Sequence, residues 1–365
     1  MKLAYFYRNL NQGGIQKMIV NAANYFVDQG DDVSVVLMIP GGEYVSLLDP
    51  RIKLIYFRSL KKSSLFFSFS EILKREKFDV LFTATPSLNT FTVIGRLMAR
   101  VKTKIVISER NNTVVFFKNS KLTLSKLTFL SIPLLYRFAD AIVAVSKGLG
   151  QSLQKVALVP ANKIHVIYNP AWSAELEKQA SLPVQHDWLI DDKIPVLVTV
   201  GRLVDAKNHK LLIDAVALLS KKRNIRLIII GEGPLREELQ TQINSLNLRD
   251  CVRLEGFKLN PVSWISKAKL FVLSSDYEGF GNVLVEALAA GVTIVSTDCD
   301  YGPAEILENR YGFLVPIGQV NALSDQIDYA LNHPIDSGLL INRAREFGVN
   351  QIMQHYQSLF SSLIS

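Results

Sequence analysis

Two carboxylates and two cations in the second half of the sequence have types and spacings that suit a phosphorylated sugar. Glu278 and Glu286 are eight positions apart, and carboxylate oxygens accept hydrogen bonds from sugar hydroxyls. Arg202 and Lys207 are five positions apart, and a guanidinium and an ammonium can together bind one diphosphate. The alternative is that these charged side chains lie on the surface and are solvated, without binding a ligand. The pattern indicates a ligand with both phosphate and hydroxyl groups.

A glycine-rich turn precedes the helix that carries Glu286. The apolar run 270–275 predicts a buried strand, and Gly279 with Gly281 predicts a turn. Asn282 is a predicted helix N-cap and Gly291 is predicted to end the helix. The free N–H groups and the positive dipole end of such a helix suit a phosphate. A turn of this kind alone is weak evidence for a nucleotide site.

The first half of the chain offers two further candidates. Gly13 and Gly14 follow the first predicted strand, where a residue without Cβ lets the backbone approach a ligand closely. Glu109, Arg110 and Asn111 directly follow a predicted buried strand. One interpretation is that these residues have a function. The structural alternative is that Glu109 and Arg110 pair with each other. The loop at Gly13 lacks a full G-x-G-x-x-G pattern, so a dinucleotide site is not indicated.

A metal site and a serine-type nucleophile are both disfavoured. The five histidines show no metal-ligand spacing. Asp298 and Asp300 have an Asp-x-Asp spacing, but Gly302 and Pro303 predict a turn there. No G-x-S-x-G elbow is present. We therefore predict a site without metal.

The elements that position these residues form two successive α/β halves. Near-continuous apolar strands alternate with helices, which predicts parallel sheets covered on both faces. Ligands of such sheets bind beyond the carboxyl ends of the strands. We predict a first domain over 1–170, a linker over 171–194 and a second domain over 195–345. The last helical pattern spans 337–362.

Composition and charge fit this division. The chain has 365 residues, of which 48% are apolar and 20% charged, and its two cysteines indicate a reduced cytoplasmic setting. Residues 1–185 contain 24 Lys+Arg and 12 Asp+Glu, whereas 186–365 contain 17 and 21. The basic first half suggests an anionic partner: a membrane surface, a phospholipid-linked substrate or a nucleic acid. The alternative is that the surplus of basic residues only keeps the protein soluble. We expect neither a secretory signal nor a membrane span.

The segment Leu122–Phe138 is rich in apolar residues; Lys121 precedes it, and Lys126 and Arg137 lie within it. One interpretation is a partly exposed patch that meets lipid at an anionic surface. The other is a core helix of the first domain. The sequence leaves both open.

Taken together, the motifs resemble those of the retaining glycosyltransferases of family 4, which have the GT-B architecture. The resemblance covers essentially the whole chain. It rests on Gly13-Gly14, Gly201-Arg202 with Lys207, Gly231-Glu-Gly-Pro234, Glu278-Gly-Phe-Gly-x4-Glu286 and Gly312-Phe-Leu-Val-Pro316. It implies two Rossmann-like domains that face each other across a cleft, with a C-terminal helix, 346–365, that returns to the first domain.

The resemblance also implies roles for individual residues. Arg202 and Lys207 would stabilise the charge that develops on the departing nucleotide diphosphate. Glu286 would hold the ribose hydroxyls. The donor sugar and its phosphate would be held by Glu278, with Gly201 nearby and the backbone of Gly279, Phe280, Gly281 and Asn282. Gly14 would let the first domain close onto the donor. Such enzymes typically need no metal.

One departure from the family pattern concerns the acceptor side. Many relatives have a histidine where this chain has Ser108-Glu109-Arg110-Asn111, and the variant resembles a bacterial subgroup that builds O-antigens and capsules on lipid-diphosphate carriers. Arg110 could contact an acceptor diphosphate. We expect a peripheral enzyme on the inner face of the cytoplasmic membrane that transfers a hexose or N-acetylhexosamine from a UDP-sugar to a polyprenyl-diphosphate-linked saccharide. The alternatives are a sugar-nucleotide epimerase and a non-catalytic protein that binds an anionic ligand such as nucleic acid.

Overall fold

The chain forms two compact units. The computed structural model describes residues 1–11, 13–58, 61, 64–110, 130–190 and 193–365. The first unit comprises Met1–Pro170 and Val349–Ser365, and the second comprises Ala171–Gly348. Each unit contains one parallel sheet. The predicted α/β class, with Rossmann-like sheets, is confirmed.

The sheet of the first unit has seven strands. They are β1 Lys2–Tyr7, β2 Asp32–Leu37, β3 Lys53–Tyr56, β4 Val80–Ala84, β5 Lys104–Glu109, β6 Ala141–Ala144 and β7 Ile164–Val166. The order across the sheet is β3-β2-β1-β4-β5-β6-β7, and all neighbouring strands are parallel. Every residue of β4 and β6 is buried. Burial on both faces explains why these strands are uninterrupted apolar runs in the sequence.

Helices connect these strands on the two faces of the sheet. They are α1 Gly14–Asp28, α2 Leu65–Glu76, α3 Pro86–Ala99 and α4 Lys147–Ala157. The buried side of α1 includes Ile19 and Phe26, which belong to the same apolar cluster as Tyr5 of β1 and Phe82 of β4. This periodic apolar stripe is what folds α1 as a helix against the sheet.

The sheet of the second unit has six strands. They are β8 Val196–Val200, β9 Arg226–Ile230, β10 Val252–Gly256, β11 Leu270–Leu273, β12 Ile294–Thr297 and β13 Phe313–Val315. The order is β10-β9-β8-β11-β12-β13, again parallel throughout. The direction of strand succession reverses between β8 and β11. In open sheets of this type, the crevice beyond the carboxyl ends of such a strand pair is where ligands bind.

The second unit contains nine helices among its described residues, two of them before its first strand. They are α5 Ala174–Ala180, α6 Asp187–Ile190, α7 His209–Leu219, α8 Arg236–Ser245, α9 Pro261–Ile265, α10 Asn282–Ala289, α11 Pro303–Leu307, α12 Val320–Asn332 and α13 Ser337–Arg345. A last helix, α14 Val349–Ile364, belongs to the first unit, where Phe360 stacks on Phe26 with ring centroids 5.5 Å apart.

Two boundaries differ from the sequence-based expectations. The segment 171–194, predicted as a linker, contains α5 and α6 and belongs to the second unit. The backbone N–H groups of Ala171 and Trp172 both donate to the Phe347 carbonyl, each at 3.1 Å. The helical pattern over 337–362 is two helices, α13 and α14. They are separate because their apolar faces are buried in different units, which a periodicity cannot show.

The described part of the chain contains no helix whose length and apolar composition would allow it to cross a bilayer.

Candidate active site

Two loops of the second unit meet at the carboxyl ends of β8 and β11. The first, 201–208, follows β8 and ends in a 3-10 turn at Asp205–Lys207. The second, 274–281, follows β11 and leads into α10. These loops contain all the predicted donor-side residues except Gly14, Asn282 and Glu286. The sheet topology therefore brings the two predicted motifs together.

Hydrogen bonds between the two loops fix their relative position. The Asp276 N–H donates to the Ala206 carbonyl at 2.9 Å, and the Asn208 side-chain amide donates to the Asp276 carboxylate at 2.8 Å. The Ser274 hydroxyl donates to the Lys207 carbonyl at 3.0 Å. Asn208 also caps α7, where it accepts from the Leu211 N–H at 3.2 Å. These residues between the loops were not predicted from the sequence, although an Asn before a helical pattern is a recognisable cap signal.

Lys207 and Glu278 form an ion pair across the two loops. The exposed fractions of their side chains are 22% and 10%, so the pair is largely shielded from water. The Ser275 hydroxyl donates to the same Glu278 oxygen at 2.8 Å. The sequence predicted separate tasks for the two residues, diphosphate for Lys207 and sugar for Glu278. Their contact places both tasks at one point, and the ammonium retains further N–H donors for an anion.

Arg202 is exposed, and its guanidinium has no hydrogen-bond or ion-pair partner within the described residues. It lies in the same loop as Lys207. A guanidinium without a protein partner at the rim of this loop is available to a diphosphate.

Glycines allow the surrounding loops to approach closely. A Cβ at Gly231, in the loop after β9, would lie 1.9 Å from the Gly201 carbonyl oxygen. A Cβ at Gly302, after β12, would lie 1.8 Å from the Phe280 carbonyl oxygen. Both glycines have positive φ, 144° and 117°. Only glycine fits at these two positions, so both loops are held against the site by backbone contact.

The glycine-rich turn enters α10 differently from the prediction. The N-cap is Gly281, with φ 94°, and Asn282 is the first residue of the helix, so the prediction that Asn282 is the cap is wrong. Glycine is preferred here because the chain turns through a left-handed conformation. The helix ends as predicted at Gly291, with φ 68°, where the Val292 N–H donates to the Ala287 carbonyl at 3.2 Å.

Phe280 anchors this turn. Its side chain is 2% exposed, and its ring packs edge-on against Phe347 with centroids 5.5 Å apart. Because the whole residue is buried, the Phe280 ring fixes the position of the turn and is not itself a ligand contact.

Glu286 is a carboxylate without a partner. It lies on α10 and keeps some exposed surface, but no hydrogen bond or ion pair from the described residues reaches its carboxylate. Burial of its carboxyl group raises its pKa, because the charged form loses water. An unpaired carboxylate in such a place is ready to accept hydrogen bonds from ligand hydroxyls.

In the first unit, Glu109 and Arg110 contact different groups. Glu109 ends β5 and is fully buried; it accepts from the Tyr136 hydroxyl and from the Asn89 amide, the latter at 2.9 Å. Burial, followed by the nearby Glu109 charge, raises the pKa of Tyr136 well above its usual value. These contacts give Glu109 a structural role in holding the 3-10 turn Tyr136–Phe138. Pairing of Glu109 with Arg110, the structural alternative, is not what the structure shows.

Arg110 is 8% exposed, and its guanidinium joins two distant parts of the first unit. It donates to the Asn169 side-chain carbonyl at 2.7 Å and to the Tyr356 hydroxyl on α14 at 3.2 Å. Its Nε is buried and has no partner among the described residues. The third residue of this predicted group, Asn111, lies outside the described residues.

Two other predicted features of the first unit are only partly visible. Gly14 is the first residue of α1, and its role toward a donor stays a prediction.

In the apolar segment Leu122–Phe138, residues 122–129 lie outside the described residues. In 130–138, Ile132 and Tyr136 are fully buried, while three apolar side chains are exposed: Leu130, Leu134 and Phe138, at 62%, 64% and 45%. One face of this segment is therefore core and the other is an exposed apolar stripe.

No three His, Cys, Asp or Glu side chains converge in a way that could hold a metal ion, as far as the described residues extend.

Comparison with known proteins identifies the family. Residues 12–171 match the family described as Glycosyltransferase Family 4, and 184–347 match Glycosyl transferases group 1. A relative from Campylobacter jejuni is 30% identical over 335 residues, which are 88% of each chain. It is an N-acetylgalactosamine-N,N'-diacetylbacillosaminyl-diphospho-undecaprenol 4-alpha-N-acetylgalactosaminyltransferase.

Solved structures show the same fold. A glycosyltransferase from Rickettsia africae has a TM-score of 0.80 at 18% identity, covering 100% of this chain and 98% of that one. The Anabaena protein HepE, in complex with UDP, has a TM-score of 0.79 at 21% identity, covering 99% of this chain and 100% of that one. The predicted fold and family are confirmed: the chain belongs to the GT-B glycosyltransferases of the family 4 type.

Proposed function

We propose that this glycosyltransferase transfers a hexose or N-acetylhexosamine from a UDP-sugar, with retention of anomeric configuration, to a polyprenyl-diphosphate-linked saccharide in the synthesis of a cell-surface polysaccharide such as an O-antigen or capsule. The observation that carries the proposal is the arrangement at the ends of β8 and β11. There, an unpartnered Arg202, the Lys207–Glu278 pair and an unpartnered Glu286 lie on adjoining elements. The Campylobacter relative and the UDP complex of the Anabaena protein support this choice of substrates.

The cations of the site act on the leaving group. In the proposed reaction, the bond between C1 of the sugar and the phosphate oxygen breaks while the acceptor oxygen bonds to C1 on the same face. The acceptor hydroxyl proton passes to a phosphate oxygen of the departing UDP. Arg202 and Lys207 stabilise the negative charge that develops on the diphosphate, and we expect the enzyme to need no metal for this.

The carboxylates hold hydroxyl groups. Glu278 lies against Lys207, so a sugar bound to Glu278 has its anomeric phosphate next to the ammonium. Glu286 receives the ribose hydroxyls, whose O–H donors favour its ionised form. The pKa of Glu286, raised by burial, therefore falls again when the nucleotide binds.

The first unit is the proposed acceptor and membrane side. It contains most of the basic surplus of the chain. The exposed stripe of Leu130, Leu134 and Phe138 lies beside the cations Arg137 and Lys163, because the Lys163 ammonium donates to the Arg137 carbonyl at 3.0 Å. Exposed apolar side chains next to cations suit an anionic bilayer surface. We accordingly place the enzyme on the inner face of the cytoplasmic membrane, with Arg110 near the acceptor diphosphate.

The test is a transfer assay with a panel of UDP-sugars and a polyprenyl-diphosphate-linked saccharide in detergent. We expect one UDP-sugar to extend the lipid-linked saccharide by one residue, with NMR showing the same anomeric configuration in donor and product. Addition of a chelator should leave the rate unchanged. Isomerisation of free UDP-sugar without acceptor would instead favour an epimerase, and absence of UDP-sugar binding would overturn the donor assignment.

A further inference from the structure

Tyr301 has a backbone conformation that an aromatic residue rarely adopts. Its φ is 69°, in the left-handed region, where the Cβ of any residue other than glycine crowds the backbone. Most other described non-glycine residues with positive φ are asparagines or end a helix, where this conformation is common. Tyr301 is neither, because it lies in the loop 298–302 between β12 and α11. The conformation of this loop favours glycine and does not explain why the residue is a tyrosine.

The loop that contains Tyr301 is joined to the glycine-rich turn before α10. The Glu278 N–H donates to the Asp300 carbonyl at 3.4 Å, and Asp300 also forms an isolated parallel β-bridge with the residue before Glu278. On the other side of Tyr301, Gly302 is in backbone contact with the Phe280 carbonyl. Both neighbours of Tyr301 in the chain therefore hold it beside the turn from which Glu278 faces the proposed donor sugar.

The side chain of Tyr301 makes no polar or aromatic contact within the described chain. It is partly buried, but its hydroxyl has no hydrogen-bond partner there, and its ring lies against no other aromatic ring or cation of the described residues. A phenol suits a sugar, because its ring packs on the C–H face and its hydroxyl exchanges hydrogen bonds with sugar hydroxyls. Backbone strain of this kind persists where the surrounding structure holds a residue for its function.

We propose that Tyr301 is a specificity-determining residue whose ring packs against the transferred sugar of the donor, next to the hydroxyls that Glu278 accepts from. The inference rests on the proposed function, because it takes a UDP-sugar as the ligand. It divides the site into two parts. Arg202, Lys207 and Glu286 bind the UDP that all these donors have in common. Tyr301 and Glu278 contact the sugar, in which the donors differ.

The experiment compares the affinities of UDP and of UDP-sugars in Tyr301 variants by titration calorimetry, because UDP lacks the sugar. The probes are UDP-glucose, UDP-galactose and their N-acetylated forms, and the ratio is taken for the UDP-sugar that the wild type binds most tightly. We expect Tyr301→Ala and Tyr301→Gly to weaken binding of this UDP-sugar about tenfold and to leave UDP within about twofold, since the lost contact is to the sugar. Tyr301→Phe keeps the ring and should stay within about threefold of the wild type.

Two comparisons separate the ring of Tyr301 from its backbone. Tyr301→Gly removes the strain as well as the ring, so it should unfold at a higher urea concentration than Tyr301→Ala, although both lose the same affinity for the UDP-sugar. Tyr329→Ala is the matched control in the same unit. The Tyr329 ring packs edge-on against Phe313, at the start of β13 and thus at the edge of the sheet opposite to the site, with centroids 5.7 Å apart. This control should leave the ratio of the two affinities unchanged.

Several results would overturn the role of Tyr301. They are an unchanged ratio in Tyr301→Ala or Tyr301→Gly, an equal change in Tyr329→Ala, and a loss in Tyr301→Phe as large as in Tyr301→Ala. Equal stability of Tyr301→Ala and Tyr301→Gly would remove the strain on which the inference rests. If Tyr301→Ala does not fold, Tyr301→Gly takes its place, because glycine fits the positive φ. Wild-type protein that binds neither UDP nor any of the four UDP-sugars overturns the donor assignment as well.

Discussion

Replacement of Glu286 by glutamine should have opposite effects on stability and on nucleotide binding. Glu286 has no partner among the described residues, and burial raises its pKa. Glutamine has the same shape but no charge, so the ligand-free protein no longer contains a desolvated carboxylate. We expect Glu286→Gln to increase the unfolding free energy near neutral pH and to weaken UDP binding, because the hydroxyl donors of ribose lose a charged acceptor.

The size of the binding effect follows from the hydrogen bonds lost. Bonds to a charged group contribute about 1.5–3 kcal/mol, and a neutral amide oxygen replaces only part of this. We therefore expect UDP affinity to fall roughly ten- to hundredfold, since about 1.4 kcal/mol corresponds to a factor of ten. Uridine should lose affinity by the same factor, because the lost contacts are to ribose.

The stability effect should depend on pH. For a carboxyl whose pKa is raised by folding, the native state binds more protons than the unfolded state between the two pKa values. The free energy of unfolding of the wild type therefore decreases as pH rises from the unfolded pKa, about 4.3, through the folded one. Glu286→Gln removes this decrease, so its advantage over the wild type should be small at pH 4 and larger at pH 7.

Urea unfolding at several pH values and titration calorimetry with UDP test both expectations. The control is Glu237→Gln, an exposed carboxylate in the first turn of α8, which should leave UDP affinity unchanged and should not make the protein more stable at pH 7. A less stable Glu286→Gln protein with unchanged UDP affinity would contradict both expectations. It would mean that the Glu286 charge stabilises the folded unit and does not contribute to UDP binding.

Other predictions concern the 201–208 loop, the contact at Gly231 and the exposed apolar stripe of the first unit. The double change Arg202→Ala with Lys207→Ala should lower kcat by more than tenfold in the transfer assay, because charge on the leaving group is no longer stabilised. Gly231→Ala should lower the unfolding free energy by about 2 kcal/mol or more in urea, owing to positive φ and a 1.9 Å contact, whereas Gly150→Ala, with its nearest contact at 3.4 Å, should not. Leu134→Glu should reduce sedimentation with anionic liposomes at low salt.

The glycine turns and buried strands around the candidate site could be predicted from the sequence because they depend on local physics. Glycines mark the left-handed turns at Gly281 and Gly291, and apolar runs mark the buried strands β8 and β11. The order of strands and helices was sufficient to predict two parallel sheets. From these, the location of the site at the carboxyl ends of the strands follows without any tertiary information.

Contacts between distant residues could not be predicted in this way. Lys207 and Glu278 are 71 positions apart, and nothing in either motif indicates that one neutralises the other. The separation of Glu109 from Arg110 is set by Tyr136 and Asn169, which lie far along the chain. The helical pattern over 337–362 likewise hides a break, because periodicity records an apolar face but not which core covers it.

The position of α14 has a consequence for how the polypeptide is made. The apolar cluster of the first unit includes Ile352, Met353, Tyr356, Leu359 and Phe360, all from this helix. A ribosome adds these residues only after the whole of Ala171–Gly348 has been synthesised. The second unit is formed by one continuous segment and can therefore fold first. Until α14 is synthesised, part of the apolar surface of the first unit stays exposed. Nascent chains stalled before residue 349 should accordingly bind chaperones through the first unit.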